Sequence, residues 1–283
     1  MTADSPRSAG SGTVLDVAAL TIGYRNGSTA VEDVSFTVGA GEIVGMIGES
    51  GSGKSSVAMA TLGLLPDSAR VEAERLDVAG TDILDLSERE LCAIRGSSAA
   101  MVFQEPMTAL NPLIRIGEQI SETLRVHGER DRRVRRARAL ELLRLVRMPD
   151  PERRIDHYPH QLSGGQRQRV VIAIAMAAHP RLLVADEPTT ALDVTVQADV
   201  LDLIRDLRDA TGMGVLFISH DLGVITELCD RVLVMLRGRV VEEGPAASIL
   251  AAPNHPYTQA LLESIPRASI PPRTPLRTAD FVR

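Results

Sequence analysis

Apolar positions along the chain fall into short unbroken runs and helical stripes, and no period of either kind repeats throughout. Residues 14–22 and 34–38 have the content of strands in an edge sheet, and residues 42–47, bounded by Gly39 and Gly41, that of a buried strand. An apolar helix is predicted from about Ser56 to Leu65, with a further strand over 99–103. Between about Asn111 and Gly164 strand signals vanish. Ala139, Leu142, Leu143 and Val146 there fall at i, i+3, i+4, i+7, the mark of one apolar helix face. Residues 111–164 therefore read as a helical subdomain inserted into an α/β core. Beyond Val170 the alternation of strand and helix resumes. Residues 182–185 and 215–218 are short apolar strands. Between them Val200, Leu203, Ile204 and Leu207 repeat the helical stripe. Residues 231–236 and 239–243, joined by Arg237-Gly238, predict a closing hairpin. Strands alternating with helices imply a mostly parallel sheet covered on both faces. The Gly/Ser-rich residues 1–13 and the Pro/Arg-rich residues 266–283 read as a flexible and an extended tail, leaving 14–265 as one domain.

Charge narrows the function. The formal net charge is −6, which argues against a sequence-independent nucleic-acid binder, since that needs a basic footprint. The arginines between 130 and 147 suit a solvated helix face better than a nucleic-acid surface on so acidic a chain. Cys92 and Cys229 offer neither metal spacing nor a disulfide framework, as expected in a reducing cytoplasm. The longest apolar stretch, 170–178, is far short of the roughly 20 residues a membrane helix needs. The first residues lack the apolar centre of a signal peptide. A membrane role would thus require docking onto a separate membrane protein. The chain has 31 lysines and arginines together, and Lys54 is its only lysine. A slim ammonium fits inside a phosphate-wrapping loop where a planar guanidinium does not.

Lys54 stands in Gly48-Glu49-Ser50-Gly51-Ser52-Gly53-Lys54-Ser55, which fits G-x-x-x-x-G-K-[ST] and lies between a predicted strand and a predicted helix beginning at Ser56. Such glycines let the backbone curl until successive N–H groups face phosphate oxygens, and the helix start adds its positive end. Lys54 is expected to reach the β- and γ-phosphates of ATP, and Ser55 to ligate Mg²⁺. The strand 182–185 ends in Asp186 and Glu187, at the edge where parallel sheets bind ligands. Asp186 is placed to hold Mg²⁺ and Glu187 to act as general base on water. Ser163-Gly164-Gly165 reads as a serine-capped helix start whose exposed N–H groups suit an anion.

Leu162-Ser163-Gly164-Gly165-Gln166 resembles the signature sequence of ATP-binding-cassette (ABC) ATPases. Tyr24, Gln104, Asp193 and His220 stand in that family's order over residues 14–265. The resemblance implies a P-loop NTPase core, an N-terminal antiparallel β subdomain and an inserted helical subdomain. It also implies ATP and Mg²⁺ as ligands, held in a head-to-tail dimer in which Ser163, Gly164, Gly165 and Gln166 close over the ATP of the opposite subunit. Tyr24 would stack on adenine, with plain packing as its alternative. Gln104 would touch Mg²⁺ and sense the membrane partner, Asp193 would communicate across the dimer, and His220 would bond the γ-phosphate. His127, His157, His160 and His179 are given no role.

Residues 101–112, Tyr158-Pro159-His160-Gln161, Val194-Thr195-Val196-Gln197 and Asn254-His255-Pro256-Tyr257-Thr258 are similar to the peptide/nickel importer branch. Pro106-Met107-Thr108 is similar to its D-type subunit, which pairs with an F-type chain. The implied function is to energise uptake of peptides, or of nickel or another small solute. The implied partners are a second ATPase subunit, two permease subunits and an extracellular or periplasmic binding protein, at the cytoplasmic face of the membrane. Some relatives carry an iron–sulfur cluster; this chain has no cysteine after Cys229, and none is expected. Three rival classes fit less well. A soluble ABC protein of ribosomes or DNA usually has two cassettes or long coiled coils. A P-loop kinase or motor lacks the signature. A non-hydrolysing scaffold would not need Lys54, Asp186, Glu187 and His220 together.

Overall fold

Buried five-residue strands with alternating faces build the sheet that carries the site. The computed structural model describes residues 12–25, 27–104, 106–190 and 192–263. Its larger sheet runs β11 (Arg239–Pro245), β10 (Arg231–Leu236), β3 (Ile43–Ile47), β9 (Gly214–Ile218), β8 (Leu182–Asp186), β7 (Ala99–Val102). Every neighbouring pair is parallel except β10 with β11, the predicted hairpin. Arg237 and Gly238, both at positive φ, make its turn. The smaller sheet is antiparallel. Its path is β2 (Thr29–Gly39), β1 (Thr13–Tyr24), β5 (Arg75–Val78), β6 (Thr81–Asp82), with β4 (Ala69–Glu72) also on β1.

Period-two alternation sends the central strands' side chains into two cores. Ile43, Ile47, Leu183, Ala185, Val215 and Phe217 face the helical side. Val44, Met46, Leu182, Val184, Leu216 and Ile218 face the antiparallel sheet and α1 (Lys54–Ala60). The parallel strands are therefore apolar without interruption, as expected for a sheet covered on both faces.

Between β7 and β8 the described elements are helical: α3 (Pro106–Ala109), α4 (Ile116–Val126), α5 (Arg132–Leu145), α6 (Pro151–Arg154) and α7 (Gly164–Ala175), with a 3-10 turn at Pro159–Gln161. Ala139, Leu142, Leu143 and Val146 are fully buried, as their spacing predicts. α7 lies against α4, α5 and β7 and carries the helical core to the main sheet. α8 (Val194–Thr211) buries Val200, Leu203, Ile204 and Leu207. α9 (Leu222–Leu228), α10 (Ala246–Ala251) and α11 (Pro256–Glu263) complete the described order.

The expected helix 56–65 needs correction: α1 starts at Lys54 and stops at Ala60. Gly63 adopts φ 60, a left-handed conformation that cannot continue a helix, although Leu62, Leu64 and Leu65 extend the apolar run. The strands β4, β5 and β6, and α2 (Glu88–Ile94) with its Ser87/Glu90 capping box, were not expected from the pattern. Thr13, assigned to the first tail, begins β1. The remaining tail expectations, for 1–11 and 266–283, lie outside the described residues.

Leu142→Ala should cost about 2–5 kcal/mol, the range for a fully buried leucine whose cavity does not collapse, read as a loss of unfolding free energy in denaturant melts. An unchanged midpoint would show that α5 is not packed on this core.

Candidate active site

The chain after β3 turns through Gly48 (φ 151), Gly51 (φ 80) and Gly53 (φ 103) before entering α1. Side chains are excluded at two of these positions. A Cβ on Gly48 would lie 2.2 Å from the Met235 carbonyl oxygen, and one on Gly53 2.5 Å from that of Ala30. Glu49 and Ser50 are exposed, Ser52 is buried, and Ser56 is half-buried in the first turn of α1. Lys54 is buried, and its Nζ donates to the carbonyls of Gly48 and Glu49, each at 2.8 Å. Burial lowers the Lys54 pKa, against the pull of the Glu187, Asp186 and Glu49 carboxylates. A triphosphate would bring this desolvated ammonium further counter-charge.

Parallel pairing brings the end of β8 beside that loop. The Ser55 hydroxyl donates to Asp186 Oδ1 at 3.2 Å. Burial raises the Asp186 pKa; the Ser55 hydrogen bond opposes it, neighbouring Glu187 adds to the rise, and Lys54 counters. Hydroxyl and carboxylate form an all-oxygen pair, the donor chemistry a hard divalent cation selects. The residues fit Mg²⁺ on this ground.

Glu187 has φ 47, a strained conformation for a residue with a Cβ, held by its N–H on the Ile218 carbonyl at 3.0 Å. Three side chains meet its Oε2: Gln104 Nε2 donates at 3.0 Å, Thr190 Oγ1 donates at 2.9 Å, and His220 Nδ1 lies at 3.1 Å. The structure thus gathers Gly48 to Ser55, Gln104, Asp186, Glu187 and His220 at one edge of the sheet.

The remaining predicted residues lie on the starts of α7 and α8 and at the end of β1. Ser163 caps α7 by accepting from Gln166 N–H (3.3 Å), and Gln166 Oε1 accepts from Ser163 N–H (3.2 Å). Gly164 and Gly165 lie against Leu192 and Val196, and Asp193 caps α8 by accepting from Val196 N–H at 3.0 Å. Ser163, Gly164 and Asp193 are exposed. They form a second cluster, on the starts of α7 and α8. Tyr24 ends β1 opposite Ala69 of β4, half-buried in the smaller sheet.

Two contacts were not foreseen. Thr190 holds Glu187; its spacing, three residues on, within a turn closed by Thr190 N–H on the Glu187 carbonyl (3.2 Å), is the signal that could have shown it. Tyr257, noted only as part of a branch motif, accepts the Glu49 N–H at 2.9 Å. Nothing in the local sequence points across 208 residues.

Comparisons with known proteins give the family. A family model described as "ABC transporter" matches residues 31–190, and one described as "Oligopeptide/dipeptide transporter, C-terminal region" matches 241–280. The dipeptide transport ATP-binding protein DppD of Haemophilus influenzae is 48% identical over 256 residues, 89% of this chain and 78% of that protein. The chain belongs to the ABC transporter ATP-binding family. Its branch is that of the dipeptide/oligopeptide importers, and it is an ATPase subunit of that branch. The probable peptide ABC transporter ATP-binding protein y4tR of Sinorhizobium fredii is 50% identical over 245 residues, 86% of this chain and 73% of that one. Among solved structures, the ABC cassette MJ0796, described as a dimeric post-hydrolysis state bound to ADP and Pi, superposes with TM-score 0.70 at 31% identity, over 82% of this chain and 98% of that one. CbiO1 of Clostridium perfringens, described as part of the ABC transporter complex cbiONQ, gives TM-score 0.72 at 27% identity, over 85% and 92%.

In this ABC subunit the signature glycines also have a packing role. A Cβ on Gly165 would sit 2.4 Å from Val196 Cγ1, and β-branched Val196 has little χ1 freedom to yield on α8. Gly165→Ala should therefore lose about 1–3 kcal/mol by overpacking, and adding Val196→Ala should recover most of it. Equal stability of the single variant and wild type in denaturant melts would contradict this contact.

Proposed function

We propose that the chain binds MgATP as one of two cassette subunits and hydrolyses it to drive peptide uptake through a separate membrane permease. The observation that carries this reading is the Glu187 carboxylate, held through one oxygen by Gln104 and Thr190 with His220 beside it, at the strand edge next to Lys54. In the proposed cycle the amides of residues 48–56 and the Lys54 ammonium bind the phosphates. Ser55, Asp186 and Gln104 would hold Mg²⁺, which when bound neutralises charge on the β- and γ-oxygens. With Oε2 tied to its neighbours, Glu187 Oε1 takes the proton of the attacking water. His220 hydrogen-bonds the γ-phosphate and keeps Glu187 in line. Tyr24 stacks on adenine.

A dimer is supported by the exposed, serine-capped start of α7. Ser163, Gly164, Gly165 and Gln166 would meet the γ-phosphate held by a facing subunit, with Asp193 at the seam. Val194, 84% exposed beside Asp193, is suited to burial there. Release of the shared phosphate removes the charge that held the halves together. The D-type resemblance favours an F-type chain as partner.

Permease docking is supported by exposed Phe103, next to Gln104, by exposed Leu113 and Ile114, and by a cleft of about 620 Å³ whose walls include Asn111, Ile114, Gln119 and Arg136. Residues 111–164 would move as a subdomain and pass the motion on. Among the described residues no helix is long and apolar enough to cross a membrane, in keeping with a peripheral subunit on the cytoplasmic face. Two permease subunits and an external binding protein complete the assembly, and the net charge of −6 gives nucleic acid no place in it. The relatives' names favour peptides; nickel or another small solute would use the same machinery.

Glu187→Gln in the assembled transporter should retain MgATP binding while turnover falls roughly a hundredfold or more, the worth of a general base. Near-wild-type hydrolysis would remove Glu187 from that role. Lys54→Ala should weaken nucleotide affinity itself, and an unaltered dissociation constant would contradict the phosphate-loop assignment.

A further inference from the structure

The C-terminal segment reaches the phosphate loop through one buried side chain. Tyr257, fully buried at the start of α11, lies with its phenol oxygen 2.9 Å from the Glu49 amide nitrogen, and that amide donates to it. The segment that delivers the ring is pinned to the main sheet. Glu242 of β11 accepts from Asn254 N–H at 2.7 Å and from His255 N–H at 3.2 Å. His255 Nδ1 in turn accepts from Tyr257 N–H at 3.1 Å, and Gln259 Nε2 donates to the Pro253 carbonyl at 2.9 Å. The hairpin carrying Glu242 touches the same loop at its own turn, where Gly238 N–H donates to the Ser52 carbonyl at 3.0 Å. The loop is therefore gripped at Ser52 by the hairpin turn and at Glu49 by a phenol anchored to that hairpin's second strand.

We propose that Tyr257 is a positioning residue of the nucleotide site: by taking the Glu49 amide it fixes the entrance of the phosphate loop, so that the later amides point at phosphate before nucleotide arrives. The inference rests on the nucleotide reading above. A loop with three glycines at positive φ loses much backbone entropy on ordering, so each fixed end raises the fraction of molecules competent to bind. The phenol meets the first turn of the loop at Glu49, whereas Gln104, Thr190 and His220 meet Glu187 Oε2. Ground state and transition state gain from it equally, and its loss should appear in KM and leave kcat in place.

The test is the MgATP dependence of hydrolysis by the assembled transporter carrying Tyr257→Phe, which keeps the ring and removes the acceptor. KM should rise about fivefold, the worth of one neutral hydrogen bond, with kcat changed by less than about twofold. Deuterium exchange at the Glu49 amide should quicken by a similar factor. An unchanged KM overturns the proposal, and so does a fall in kcat and melting temperature at constant KM, which marks a structural role alone. If Tyr257→Phe does not fold, Glu242→Gln, which leaves Tyr257 in place and loosens its anchor, must raise KM in the same direction; an unaltered KM overturns the proposal equally. Wild-type transporter that fails to bind MgATP brings down the nucleotide reading and this inference together, whereas wild-type binding matched by equal binding in Tyr257→Phe brings down this inference alone.

Discussion

Parallel pairing of β3, β9 and β8 is the constraint from which the site follows. Each strand has five residues, and their registers align Ile43 with Val215 and Leu182 with Gly214, so all three chains leave the sheet at the same edge. The phosphate loop, the Asp186–Glu187 pair and His220 are thereby brought together from residues far apart in sequence. The same ladder extends to Glu187, whose N–H on the Ile218 carbonyl holds a conformation its Cβ disfavours. From that position its carboxylate meets Gln104, Thr190 and His220. Two apolar faces of the sheet stabilise the arrangement, and either core alone would leave the other face of these strands wet.

The glycines of the two clusters serve different physical ends. Those at 48 and 53 are required by backbone contacts with Met235 and Ala30, and no side chain fits there. Gly164 and Gly165 cost α7 helix propensity, roughly 1 kcal/mol each. In return they let the start of α7 lie against Leu192 and Val196 and leave the Ser163 cap exposed. An exposed helix start of 12 residues, capped and free of side-chain bulk, is suited to an anion that another molecule brings. That is the physical content of a shared site.

Much of this was legible in the sequence. The buried strands were visible because both faces are apolar, which yields unbroken runs such as Leu182 to Ala185. The stripes on α5 and α8 were visible because one face of each meets a core. β4, β5 and β6 escaped because none exceeds four residues; β4 alternates half-buried with exposed residues, β6 is exposed, and β5 offers only Leu76 and Val78 to the core. The start of α1 was set too late because its first residues, Lys54 and Ser55, belong to the loop by chemistry and to the helix by conformation. In the site, the loop, the acids and the signature were readable from local spacing. The Gln104 and His220 contacts at the Glu187 oxygen and the reach of Tyr257 were not, since they depend on side chains meeting across the fold.

The most direct measurement is the structure of the assembled transporter with MgATP or a non-hydrolysable analogue bound. The account predicts the terminal phosphate within hydrogen-bond reach of Lys54 on one side and of the Ser163 segment of a facing subunit on the other. A nucleotide seated away from Lys54, or a Ser163 segment facing no triphosphate, would contradict it.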